Sequence, residues 1–181
     1  MPHPSDFCIN HDAAGQPYLE PAGDPSLPRI SCTHSEGTFL TIASETASGV
    51  DIEPASRDAD SILPHFASAE EIALLEDLAA AEPEQRWALR LWCAKEALSK
   101  LLGSGFQGQP KAFLAIEGDP SGGLLMHHVP TGSRFVVYTS RLEHHILAYT
   151  SAALVVVTAE EAAASSKGST IGLLSASGEQ S

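Results

Sequence analysis

Arg90-Leu91-Trp92-Cys93-Ala94-Lys95-Glu96-Ala97-Leu98-Ser99-Lys100-Leu101-Leu102-Gly103 is the stretch from which the rest of the chain can be read. Apolar residues recur at Trp87, Leu91, Ala94, Leu98 and Leu101, four and three apart, which predicts an α-helix. Nothing breaks the run before Gly103, which stands where a C-terminal cap belongs. By the 100° step of a helix, Glu96 lies about 200° from Ala94 and Leu98, off the main apolar stripe. Trp92 and Lys100, at i−4 and i+4, share its ridge. Taken alone, Glu96 and Lys100 read as an exposed ion pair; a metal-and-phosphate site on the same ridge is the sharper alternative.

Outward from this helix, short strands and turns dominate. Residues 1–28 are rich in Pro, Gly, Asp and Asn and read as an extended arm with turns. A strand is expected at Arg29–Cys32, a polar turn at Thr33-His34-Ser35-Glu36-Gly37, and a Thr- and Ile-rich strand at Thr38–Ser44. Val50-Asp51-Ile52-Glu53 alternates apolar and acidic, so both carboxylates leave one face of a strand that Pro54 ends. A short helix is expected over Asp58–Leu63. A second begins at Ser68, where Glu71 three residues on completes a capping box, and runs to about Ala81. Pro83 suits the first turn of the long helix. Strands then follow at Ala112–Ile116, Leu124–Val129, Phe135–Thr139 and His145–Thr150, as an antiparallel meander. Ala153–Val157 could extend the last strand, and 158–181 reads as a weakly ordered Ala/Ser/Gly tail. The fold class is therefore α+β, an antiparallel sheet packed against one long helix, with the main domain at 29–157.

Composition narrows the function. At 181 residues and 43% hydrophobic, the chain is sized for one well-cored globular domain or two small ones. A net charge of −13 argues against nonspecific nucleic-acid binding, while clustered acids suit hard cations and, through them, phosphates. No apolar run approaches a membrane span, the start lacks a secretory signal pattern, and the three cysteines make no disulfide framework. The expected compartment is reducing cytoplasm. His127-His128 and His144-His145 cannot chelate as adjacent pairs on a strand, and Cys32 and Cys93 read as packing residues. Asp51, Glu53 and a third acid such as Glu96 would give oxygen ligands for Mg²⁺. The 33–37 turn offers an imidazole and two hydroxyls to a phosphate.

These elements occur in one order: a Thr-His-Ser turn, Gly-Val-Asp-Ile-Glu, Phe66-x-x-x-Glu70, then Trp92-x-x-Lys95-Glu96-Ala97-x-x-Lys100-x-x-Gly103-x-Gly105. The set resembles the 4′-phosphopantetheinyl transferases, in the surfactin-type branch, from about Gly15 through Thr150. The resemblance implies an Mg²⁺-dependent transfer from coenzyme A to a serine of an apo acyl or peptidyl carrier protein. It also implies roles. Asp51, Glu53 and Glu96 look like the metal ligands; His34, with Thr33 and Ser35, looks like the CoA-phosphate contact. Lys100 looks like the pyrophosphate contact, Lys95 a support for the coenzyme, and Glu70 a candidate general base. Trp92 and the Gly103-Ser104-Gly105 segment match packing and loop positions.

The chain departs from that branch in three ways. Its first half is reduced to about 30 residues before His34, Thr33 stands for the usual serine, and Arg29 is the lone cation ahead of His34. A neighbouring copy, or another domain of a larger polyketide or fatty-acid synthase, would supply the missing wall. A non-catalytic carrier- or CoA-docking domain is the alternative from a different functional class.

Overall fold

The computed structural model describes residues 8–20, 24 and 26–152. The expected strand extension at 153–157 and the tail at 158–181 lie outside them.

Five antiparallel strands form the main sheet, in the order β5-β9-β8-β7-β6. They are β5 (Ser48–Pro54), β6 (Phe113–Gly118), β7 (Gly123–His128), β8 (Ser133–Leu142) and β9 (His145–Ser151). The last four are the expected meander, and β5 closes it by pairing with β9, Asp51 opposite Ala148. Two separate hairpins precede it. β1 (Ile9–His11) pairs with β2 (Pro17–Leu19), so residues 9–19 of the expected arm form a hairpin. β3 (Arg29–Ser35) pairs with β4 (Thr38–Ser44) in full register. Thr33, His34 and Ser35 therefore belong to a strand, not to a five-residue turn. Only Glu36 and Gly37 turn, at φ 46° and 81°, the two positive values of a two-residue type I′ hairpin loop.

The helices are α1 (Leu63–Phe66), α2 (Ala69–Ala81) and α3 (Trp87–Leu102). The short helix falls later than the Asp58–Leu63 expected, because the Asp58 carboxylate instead accepts the Ser61 N–H in a local turn. The Ser68/Glu71 capping box starts α2 as read from sequence. Pro83 opens a separate 3₁₀ turn, Pro83–Gln85, and not α3. Arg86, in the left-handed region at φ 54° and ψ 53°, breaks the two apart. Gly103, also left-handed at φ 73°, ends α3 as expected.

α3 is the core. It lies against β5, β8 and β9, and α2 packs on β6 beside it. The periodicity suggested one apolar stripe, yet Leu89, Leu91, Cys93, Ala94, Ala97 and Leu98 are all at 0% exposure. Within 91–100 only the ridge of Trp92, Glu96 and Lys100 is less than buried. Full enclosure forces Lys95 inside as well. Its ammonium donates to the Phe66 carbonyl (2.7 Å), the Pro110 carbonyl (3.2 Å) and the Glu71 carboxylate (2.9 Å). Glu71 also accepts the Ser68 and Ala115 backbone N–H groups, each at 2.8 Å. Every donor of the ammonium is thus matched, which is what a charge in an apolar interior requires.

β5 reaches α3 through a glycine. A Cβ at Gly49 would lie 1.8 Å from the Ala97 carbonyl oxygen and 2.7 Å from Leu101 N, both rigid helix backbone. This close approach makes the face of residues 49, 51 and 53 the helix-facing one. Val50 and Ile52 point the other way, fully buried, with β3 and β4 packed on β5.

Two stability outcomes follow from this packing. Glu71→Gln, which leaves the Lys95 charge unpaired in the core, lowers unfolding free energy by about 3–5 kcal/mol. Gly49→Ala, which pushes β5 off α3, lowers it by about 1–3 kcal/mol. Urea melts measure both, and an unchanged midpoint for either variant contradicts the packing described.

Candidate active site

Three acids meet where β5 crosses the open ridge of α3. Asp51, on the helix-facing side of β5, has a side chain only 8% exposed. Its Oδ1 accepts from the Lys100 ammonium at 2.8 Å and from the Thr33 hydroxyl at 3.1 Å. Its Oδ2 is buried and has no hydrogen-bond partner. Lys100 also donates to the Val50 carbonyl at 3.1 Å. Glu96, one turn back along the ridge, makes no side-chain hydrogen bond or ion pair among the described residues. Burial raises its pKa, the negative charge of Asp51 adds to the rise, and Lys100 opposes it. Burial raises the Asp51 pKa too, against the pull of Lys100. Glu53, the second acid of the strand, is ion-paired with Arg57. The Arg57 guanidinium in turn sits 5.0 Å from the centre of the Trp92 ring. The cluster thus holds three carboxylates and two cations, wrapped around one helical ridge.

The expected metal ligands Asp51, Glu53 and Glu96 are therefore brought into one electrostatic neighbourhood. Among the described residues, however, no group of three such side chains is closed tightly enough to grip a metal as it stands. Two of the three acids are held by Lys100 and Arg57. The chemistry of the donor set still fits a hard cation. Asp51 presents a buried oxygen with no partner, Glu96 presents an unpaired carboxylate, and mutual repulsion of the acids is relieved by a divalent ion. These two residues, with Glu53 once Arg57 is released, would hold Mg²⁺.

A cleft of about 1180 Å³ adjoins Lys100, between the two amino-terminal hairpins and the end of α3. Thr33 and His34 line it, as do Arg29 and the glycines Gly103 and Gly105. Alternation along β3 divides the expected Thr-His-Ser contact. Thr33 points inward to Asp51, whereas His34 is exposed and stacks on Phe39 at 5.4 Å. Phe39 itself is 78% exposed. Ser35 lies at the hairpin end, half-buried. The β1–β2 hairpin is fastened to the site by Gln16, whose amide donates to the Lys100 carbonyl at 3.2 Å. Gln16 packs so closely on Gly103 that a Cβ there would lie 2.5 Å from it.

Two other expected site residues have different surroundings. Lys95, expected to support the coenzyme, is spent on Glu71 and two carbonyls inside the core and has no exposed surface. Glu70, the expected general base, is exposed at the start of α2, where local hydrogen bonds hold its pKa below the usual value. Counting from Phe66 selects Glu70, but the acid that turns inward is its neighbour Glu71. The capping box with Ser68 was the signal for that, since it fixes Glu71 at the third helical position. Arg57 and Gln16 were not legible as site residues: each is an isolated polar residue in a loop or hairpin. Cys32 is half-buried, its Sγ accepting from the Thr41 hydroxyl at 3.4 Å, and Cys93 is buried. His128 Nδ1 meets the Thr131 hydroxyl at 2.9 Å, and burial pushes the Cys93 thiol pKa well up.

An antiparallel sheet wrapped on one helix, with paired strand acids facing a helical Glu and Lys, defines an acid-cluster α+β domain. Residues 47–151 match the 4′-phosphopantetheinyl transferase superfamily, and the chain belongs to it. The matched span starts beside β5, ends at β9 and contains the whole acid cluster, so the domain is of the phosphopantetheine-transferring class. No curated protein matches the chain. Among the described residues no helix is long and apolar enough to cross a membrane.

The raised pKa values of Asp51 and Glu96 set a pH signature for the metal-free protein. A carboxylate whose folded pKa exceeds its unfolded value binds more protons when folded, so it stabilises most below the unfolded value. That contribution is lost as pH rises from the ordinary carboxylate range through the raised folded values. Urea stability without divalent ions should therefore fall over this window, and Glu96→Gln should flatten the fall. An identical pH profile in the variant contradicts the burial of that charge.

Proposed function

We propose that the protein is an Mg²⁺-dependent 4′-phosphopantetheinyl transferase of the holo-acyl-carrier-protein synthase type. Its donor is coenzyme A and its acceptor a serine of an apo acyl or peptidyl carrier protein. The observation that carries this reading is the partnerless buried oxygen of Asp51 beside the unpaired Glu96 and the ammonium of Lys100, within the span that matches the superfamily.

The cleft beside Lys100 would receive the coenzyme, with His34 and Arg29 available to its phosphates and Lys100 to the pyrophosphate. Bound Mg²⁺ supplies charge neutralisation at that pyrophosphate. The serine oxygen attacks the β-phosphorus, the bond to the departing phosphate breaks, and 3′,5′-ADP leaves with Lys100 offsetting its charge. The serine proton passes to a carboxylate. We assign it to Glu96 rather than Glu70, because Glu96 stands at the acid cluster with both carboxylate oxygens unspent among the described residues, one for the metal and one for the proton, whereas Glu70 is exposed at the start of α2.

One observation favours a docking domain without turnover: Asp51 and Glu53 are already neutralised by Lys100 and Arg57. Mass spectrometry of an apo carrier protein incubated with the protein, Mg²⁺ and coenzyme A separates the two. A gain equal to one phosphopantetheine group is expected. Calorimetric binding of coenzyme A with no mass gain on any of several carriers supports docking instead. Glu96→Gln should lower the transfer rate by about a hundredfold or more with the fold intact, while Glu70→Gln stays near wild type. The reverse ranking would return the base to Glu70.

A further inference from the structure

Lys95 and Lys100 lie on the same helix, and their surroundings give them opposite freedom. Lys95 has no exposed surface and three acceptors around its ammonium. Lys100 is 30% exposed, has two acceptors, and lines the cleft as well as touching Asp51. An ammonium has three donors, so one remains unspent among the described residues. The flexible four-carbon stem of lysine lets such a head change partners without moving the helix.

Asp51 explains why Lys100 rests where it does. A carboxylate this deeply buried needs a cation, and Lys100 is the side chain that reaches it. The ammonium occupies one oxygen and leaves Oδ2 without a partner. A divalent ion drawn to Oδ2 and to Glu96 would bring two positive charges against the ammonium on the same small carboxylate. Like charges at that separation in a partly buried site repel strongly. The Asp51 charge would then be satisfied by the ion, and the reason for Lys100 to stay would be gone.

We propose that Lys100 is an exchangeable counter-ion: it holds Asp51 while the site is metal-free and is displaced into the cleft when a divalent cation binds. The inference rests on the metal reading of the acid cluster given above and adds the order of events to it. The cation must compete with an internal ammonium, so its affinity for the free protein is low. Once it has entered, the released ammonium adds positive charge to the cleft, which favours a pyrophosphate there. Cation and anionic donor thus strengthen each other's binding through one side chain.

Mn²⁺ binding followed by electron paramagnetic resonance tests this on the full chain with no donor present. Lys100→Met should bind Mn²⁺ at least about tenfold more tightly than wild type, and Lys111→Met, away from the cluster, should not differ. Equal or weaker binding by Lys100→Met overturns the proposal. A second measurement follows the wild-type protein itself. In wild type labelled with ¹³C at the lysine ε-carbons, Mg²⁺ should move one of the chain's four lysine resonances, assigned to Lys100 by replacement. A Lys100 signal that stays fixed while Mg²⁺ demonstrably binds sinks the exchange but leaves the metal site standing. If neither protein binds Mn²⁺, even with coenzyme A added, the metal reading falls and the exchange with it.

Discussion

The buried pair of Lys95 and Glu71 is the constraint on which the architecture depends. A helix enclosed on nearly every side carries every residue type in its sequence into the core, charged ones included. Lys95 can be there only because Glu71 meets it, and Glu71 can do so only because its capping box places it at the third position of α2. The same carboxylate accepts from Ala115 on β6. One ion pair thus fixes α2, α3 and the first strand of the meander relative to one another. Removing either partner would leave a charge with nowhere to go.

With α3 held in that orientation, its single open ridge becomes the functional surface. Trp92, Glu96 and Lys100 face outward because the other sides of the helix are occupied, and β5 lies close enough to meet them because Gly49 has no side chain. The outcome is an electrostatic arrangement that is not at rest. Burial raises the pKa of Asp51 and Glu96, and Lys100 and Arg57 relieve part of the resulting charge. Such an arrangement suits the proposed transfer, in which charge neutralisation of a pyrophosphate is the main task.

The two hairpins before β5 give the ridge its cleft. They are small, and their attachment is local: Thr33 to Asp51, Ser31 to Val50, and Gln16 to the last turn of α3. Gly103 serves both as a left-handed cap and as the seat for Gln16. The end of the central helix, Asp51 of the acid cluster and the cleft are therefore joined by direct contacts.

Much of this was legible in the sequence for a physical reason: local periodicity and turn chemistry act within a few residues. α3 and its glycine cap, the capping box of α2, the meander and the acid alternation of β5 all have that character. The ordered motifs also carried the family. What the sequence could not decide is which acids face the helix and which cations hold them, because those depend on contacts between residues far apart in the chain. Lys95 and Lys100 look equivalent as helical lysines; only the surrounding elements make one a structural core charge and the other a half-exposed cation at the site. Glu70 and Glu71 differ by a single step, and the turn of α2 against β6 decides between them. The opening helix was determined by its own residues. The meaning of its open ridge was set by β5, which meets it across a glycine.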